Sequence, residues 1–191
     1  MAKAVPVRRR SLRFRLLAAT LAAMGVALLL AGLLLAGLFR DHVMRQFAQS
    51  LTTQLDQVTA RLEFDAQGRP TLDPQALSDP RWSRPLSGLY WQVDRIDAAP
   101  QRGVLRSRSL WDQALQAPQD APGRGEVHLH EVTGPQDAPL LLVERTVVPD
   151  AAAAVAWRVM VAAALHETQA AGTRFTRVLA ASLAILLLLL G

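Results

Sequence analysis

Apolar positions fall along this chain in three different rhythms. From Leu16 to Phe39 they are nearly continuous and no charged residue intervenes, a run long enough for a helix to cross a bilayer. From Asp41 they thin to a stripe of Val43, Phe47, Leu51, Leu55, Val58 and Leu62, spaced by three and four. That spacing predicts an amphipathic helix. No glycine or proline interrupts from Arg40 to Ala66, so the apolar run and the stripe are expected to form one rod. The stripe suits packing on its own domain and pairing with a twin in a homodimer alike.

Beyond the stripe the rhythm changes to two. Gln67–Pro70 reads as a turn, Asp73-Pro74 as a helix start, and Asp79–Pro85 as a proline-punctuated loop. Gly88–Ile96 then alternates as a strand, with Leu89, Trp91 and Val93 on one face and Tyr90, Gln92 and Asp94 on the other. Gly103–Ser109 is its expected partner. Glu126–Thr133 and Leu140–Val148 read as two strands joined through Gly134–Asp137, and Val155, Trp157, Val159 and Val161 give a last strand with one buried face. From about Ala163 the chain is expected to turn helical and enter a second apolar run, 178–191. Fourteen residues of helix cover roughly 21 Å of a ~30 Å hydrocarbon core. The chain is therefore expected to end inside the bilayer, with its output beyond residue 191.

The fold class is α+β: five strands between two membrane-linked helices. The expected organisation is a basic tail at 1–15, a first span at 16–39, one folded domain at 40–177 and an incomplete second span at 178–191.

Charge sharpens this picture. All sixteen acidic residues lie between Asp41 and Glu167, whereas Lys3, Arg8, Arg9, Arg10, Arg13 and Arg15 precede the first span. The other fifteen basic residues share 40–177 with the sixteen acids, so the overall charge of +5 resides in the tail. By the positive-inside rule Arg8, Arg9, Arg10, Arg13 and Arg15 orient the N-terminus to the cytoplasm, which puts 40–177 on the far side of the membrane. Nucleic-acid binding would need a basic stripe on the folded domain, and none is visible. The apolar run exceeds the 7–15 residues usual in a cleaved leader and reads as an uncleaved anchor. The chain has no cysteine, which excludes disulfides, thiolate metal sites and a cysteine nucleophile.

Candidate chemistry is sparse. His128 and His130 share one face of a strand about 7 Å apart, with Glu126 beside them, and two imidazoles so placed can share a metal. No further ligands stand at familiar zinc spacing, and Val127 and Leu129 take the opposite face as the inward one. The histidines are thus expected to face water. His42 and His166 sit near the two membrane junctions. Ser87, Ser107 and Ser109 lack the context of a nucleophile elbow, and no phosphate-binding loop or dinucleotide fingerprint occurs. No catalytic residue and no cofactor is expected within this chain.

Three segments carry a resemblance. Ser11-Leu12-Arg13-Phe14-Arg15-Leu16-Leu17 is a basic approach to the first span. The stretch from Asp79 and Pro80 through Trp82, Pro85, Ser87, Gly88, Leu89, Tyr90 and Trp91 to Val93 is similar to a "DPRF-x-x-P-x-SGLYWQ" segment, with Trp82 in place of Phe. Trp157–Ala163, followed by Phe175–Leu179, matches that family's final strand and entry to the second span, although Ala164 stands where the family often has Asp. The chain resembles the N-terminal input half of a Gram-negative two-component sensor histidine kinase of the PhoQ-like kind.

The resemblance implies a PAS-like periplasmic sensor domain, a homodimer in the bacterial inner membrane and an unknown periplasmic ligand. It also implies a separate cytoplasmic half that uses ATP and Mg and passes phosphate to a response regulator. Whether the chain belongs to an enzyme then depends on that half, since none of its four histidines lies on the cytoplasmic side. A membrane-tethered periplasmic binding or scaffold protein without catalytic output is the alternative reading.

Overall fold

The computed structural model describes residues 12–97, 99–118, 123, 125–149, 155–165 and 181–182. The chain divides into two compact units, one holding the N-terminal stretch through His42 and the other Val43–Gln169. One helix, α1 (Leu12–Ala60), runs uninterrupted through 49 residues. Its N-terminal portion exposes apolar side chains all round, among them Leu29, Leu30, Leu33, Leu34 and Leu38. Apolar side chains exposed on every side suit a lipid environment. The helix is long and apolar enough to cross a membrane. Of the second apolar run only Ala181 and Ser182 are described, both helical, and the expected span at 178–191 otherwise lies outside the described residues.

In the second unit the stripe buries as its spacing requires. Leu51, Leu55, Val58 and Leu62 are at most 9% exposed and pack into the main core. Phe47 is half-buried against the same core, and Val43 is half-buried. The helix stops at Ala60, just before the last residue of the stripe, Leu62. Asp65 accounts for the early end: its Oδ1 accepts from the Gln67 and Arg69 amides at 2.9 and 2.8 Å. That side-chain turn closes a short ribbon, β1 (Glu63–Phe64) against β2 (Pro70–Thr71), in competition with further helix.

Five strands form the antiparallel sheet: β3 (Leu89–Arg95), β4 (Gln101–Arg106), β5 (Val127–Thr133), β6 (Pro139–Val147) and β7 (Trp157–Ala164). Their order across the sheet is β4-β3-β7-β6-β5. Three corrections to the sequence reading follow. First, β4 begins and ends earlier than Gly103–Ser109, because Ser107 leaves the strand and Arg108–Leu110 turn as a 3-10 helix. Second, β7 continues as strand through Ala164 rather than turning helical at Ala163. Pairing holds it there, since Ala163 faces Leu89 on one side and Leu141 on the other. Third, β7 is buried at every position, not on one face, because it is the central strand.

The two faces of the sheet bury different things. Trp91, Val93, Leu141, Val143, Trp157, Val159 and Val161 face the α1 stripe. On the opposite face, Tyr90, Leu140, Leu142, Met160 and Ala162 pack under Leu110 and Leu115 from the loop after β4. Alternation along each strand sorts the residues correctly, and each face buries a core of its own.

Candidate functional site

The segment from Asp79 to Trp91 forms the joint that starts β3. Asp79 caps the 3-10 turn Pro80–Ser83, accepting from the Arg81 amide at 2.9 Å, and also pairs with the Arg81 guanidinium at 2.8 Å. That guanidinium, chiefly through its hydrogen bond, holds the Asp79 carboxyl below the usual range. Trp82 is buried, Pro85 is exposed, and Ser87 Oγ donates to Arg81 O at 2.7 Å. The Gly88 amide donates to the Tyr90 hydroxyl at 3.3 Å. Leu89, Tyr90 and Trp91 enter the sheet as buried residues. Ser107 and Ser109 bond to each other at 2.8 Å, and Ser109 Oγ donates to Leu89 O at 2.6 Å. The local chemistry of this joint is architectural: each polar group secures a backbone turn.

The charged groups gather elsewhere, on the sheet face away from α1. In the β5–β6–β7–β3 register His128 lies opposite Glu144, Glu144 opposite Met160, and Met160 opposite Gln92. In the next row Thr146 lies opposite Arg158 and Arg158 opposite Asp94. Period-two alternation therefore brings His128, His130, Glu144, Arg158, Gln92 and Asp94 to one face. Glu144 is fully buried between two cations or potential cations: His130 Nε2 lies 3.2 Å from its Oε1, and Arg158 Nε lies 3.1 Å from its Oε2. A buried carboxylate needs such partners to remain in the interior. Arg158 also donates through Nη1 to Pro118 O at 3.1 Å.

Asp94 forms the other end of the face. A bulge at Gly103, whose φ of 62° suits glycine, turns its amide onto Asp94 Oδ1 at 2.6 Å, and Gln92 Nε2 donates to the same atom at 2.9 Å. Burial nevertheless dominates and pushes the Asp94 carboxyl above its ordinary value, against the hydrogen bonds from Gly103 and Gln92 and the charges of Arg102 and Arg158.

The two histidines do not simply face water. Their side chains are 36% and 16% exposed, for His128 and His130, whereas Leu129, read as inward, is 47% exposed. At this outermost strand the face toward α1 is incompletely covered, while the histidine face is half closed. Glu126 Oε2 lies 3.7 Å from His128 Nε2 on the open side. One ligand atom from each of His128, His130 and Glu144 lies within 4.8 Å of the others. The spacing of the histidines was visible in the sequence; Glu144 was not singled out. Its signal is a lone carboxylate ending the apolar run Leu140–Val143, and Arg158 interrupts Trp157–Ala163 in the same way.

The remaining candidates fall apart from this cluster. His42 is exposed on α1, as is Arg15. His166 and Arg8, Arg9 and Arg10 lie outside the described residues. Arg13 belongs to the α1 backbone. A cleft of about 520 Å³ near the C-terminal end of α1, lined by Arg61, Glu63 and Asp73 among others, is open and polar. Comparison of the chain with protein-family models, with curated proteins and with solved structures finds no match in any of the three.

Proposed function

We propose that this chain is the sensing portion of a transmembrane signal receptor, the input half of a two-component histidine kinase. The observation that carries the reading is α1. A single uninterrupted helix contains both an uncovered apolar segment of membrane length and the stripe that builds the core of the folded unit. A receptor needs such a connection, because a flexible linker would dissipate any shift that ligand binding imposes. A coupling of only ~1–3 kcal/mol changes output several-fold. An antiparallel five-stranded sheet with a long helix against one face supports a PAS-like sensor domain. The resemblance around Asp79–Trp91 supports the kinase assignment, with the sheet unit in the periplasm and a homodimer as the signalling form.

On this reading the catalytic steps, ATP and Mg belong to a cytoplasmic half encoded beyond residue 191, which would phosphorylate a response regulator. The test is autophosphorylation of the intact gene product in membrane vesicles supplied with labelled ATP. Incorporation of acid-labile phosphate on a histidine beyond residue 191 is expected. Absence of a histidine-bearing dimerisation helix downstream, with no phosphate incorporated, overturns the proposal in favour of a tethered binding protein.

A further inference from the structure

We propose that His128, His130 and Glu144 form a binding site for a divalent transition-metal ion of zinc-like chemistry. The donor set is two imidazoles and one carboxylate, a combination that suits zinc and its neighbours and leaves a coordination position for water or a further ligand. All three donors project from paired strands: His128 and His130 are two apart on β5, and Glu144 on β6 is the register partner of His128. A site built on strands is held more closely than one built on loops.

The distances suit closure around one ion. Ligands about 2.0–2.2 Å from a tetrahedral zinc lie roughly 3.3–3.5 Å from one another. His130 Nε2 and Glu144 Oε1 already stand 3.2 Å apart, and all three donors fall within 4.8 Å. Only His128 has to swing inward, and it is the most exposed of the three, with room to turn. The second oxygen of Glu144 lies 3.1 Å from Arg158 Nε as an ion pair, while Oε1 faces the His130 imidazole. Outer partners of this kind fix the geometry of a ligating carboxylate. Exposure falls from His128 through His130 to Glu144, which gives an ion a way in from the His128 side, where Glu126 adds a second carboxylate.

A plain hydrogen-bonded His130–Glu144 pair is the competing account, and it gives His128 no part. The metal site is independent of the receptor reading and is tested without any kinase assay. The full chain, reconstituted in lipid nanodiscs and stripped with chelator, is titrated with Zn²⁺ and, for its visible spectrum, with Co²⁺. One ion per chain is expected, with affinity at least about tenfold weaker in both His128→Ala and His130→Ala. The His42→Ala/His166→Ala double variant, lacking the other two histidines, is expected to bind as the parent does. His128→Ala removes a surface imidazole, so its metal-free unfolding midpoint should match the parent, which separates lost binding from lost folding. No saturable one-ion binding, or affinity unchanged in both single variants, overturns the site. Displacement of Zn²⁺ by equimolar Mg²⁺ or Ca²⁺ overturns the assignment to a transition ion.

Discussion

Gln92 and Leu115 hold each other in both directions. The Gln92 side chain donates from Nε2 to the Leu115 carbonyl at 3.1 Å and accepts the Leu115 amide at Oε1 at 2.7 Å. Both residues are buried, and between them they tie the loop after β4 to the sheet face carrying the charged cluster. Gln92→Leu fills the space but leaves two backbone groups of Leu115 without partners. A loss of about 2–4 kcal/mol is expected. It is read from urea unfolding followed by tryptophan fluorescence, together with faster hydrogen exchange at the Leu115 amide. Unchanged exchange would show that the loop is held by its apolar contacts alone.

Asp94 should make stability fall as pH rises. Its carboxyl titrates above the ordinary aspartate value because burial penalises the anion. Between the unfolded and folded pKa values the folded state binds more protons, so the contribution of Asp94 declines across that window and stays low above it. Asp94→Asn keeps an oxygen for Gly103 and Gln92 and removes the titration. The difference in stability between variant and parent should shift in favour of the variant as pH climbs from the ordinary carboxylate range, and then level off. Asp79, lowered by Arg81, should behave oppositely: its contribution is present above the unfolded value and is lost as pH falls through the folded one. Parallel curves for parent and Asp94→Asn across the whole range would contradict the assignment.

Leu55 is the centre of the α1 stripe and is fully buried. Leu55→Ala should cost about 2–5 kcal/mol, the range for a core leucine whose cavity only partly collapses. Gln57→Ala, two positions along on the exposed side, should stay within about 0.5 kcal/mol. Trp82, Trp91 and Trp157 are all buried in the same core, so their fluorescence reports its unfolding.

Gly134 lies against Leu140. A Cβ added at Gly134 would overlap the Leu140 side chain, which is fully buried on the second face. Gly134→Ala should therefore destabilise by about 1–3 kcal/mol through overpacking. The paired change Gly134→Ala/Leu140→Val should recover part of the loss, measured as a double-mutant cycle.

The periodic elements were legible because period alone specifies them. The α1 stripe buried at the spacing its residues announced, and β3, β5 and β6 fell within a residue or two of their alternating segments. What needed the third dimension was strand order. Trp157–Ala164 gives no sign in sequence that β3 and β6 flank it on both sides, and so its second face was not read as core. The same holds for the cluster. His128 and Glu144 are brought together by register, a property of pairing, although they lie sixteen positions apart in the chain. The end of α1 could not be placed from the stripe, because Asp65 stops the helix through its own side-chain turn, a breaker less visible than proline or glycine.

The central place of β7 ties folding of the sheet to the synthesis of residues 157–164. Until residues 157–164 are made, β3–β4 and β5–β6 can exist only as separate hairpins, each with a bare inner edge. Bare edges invite pairing with other chains, and long-range strand pairing forms slowly. A polypeptide delivered N-terminus first therefore carries two half-sheets until its last strand arrives and zips them together. A product cut short before Trp157 cannot close this seam, which marks it for proteolysis or aggregation.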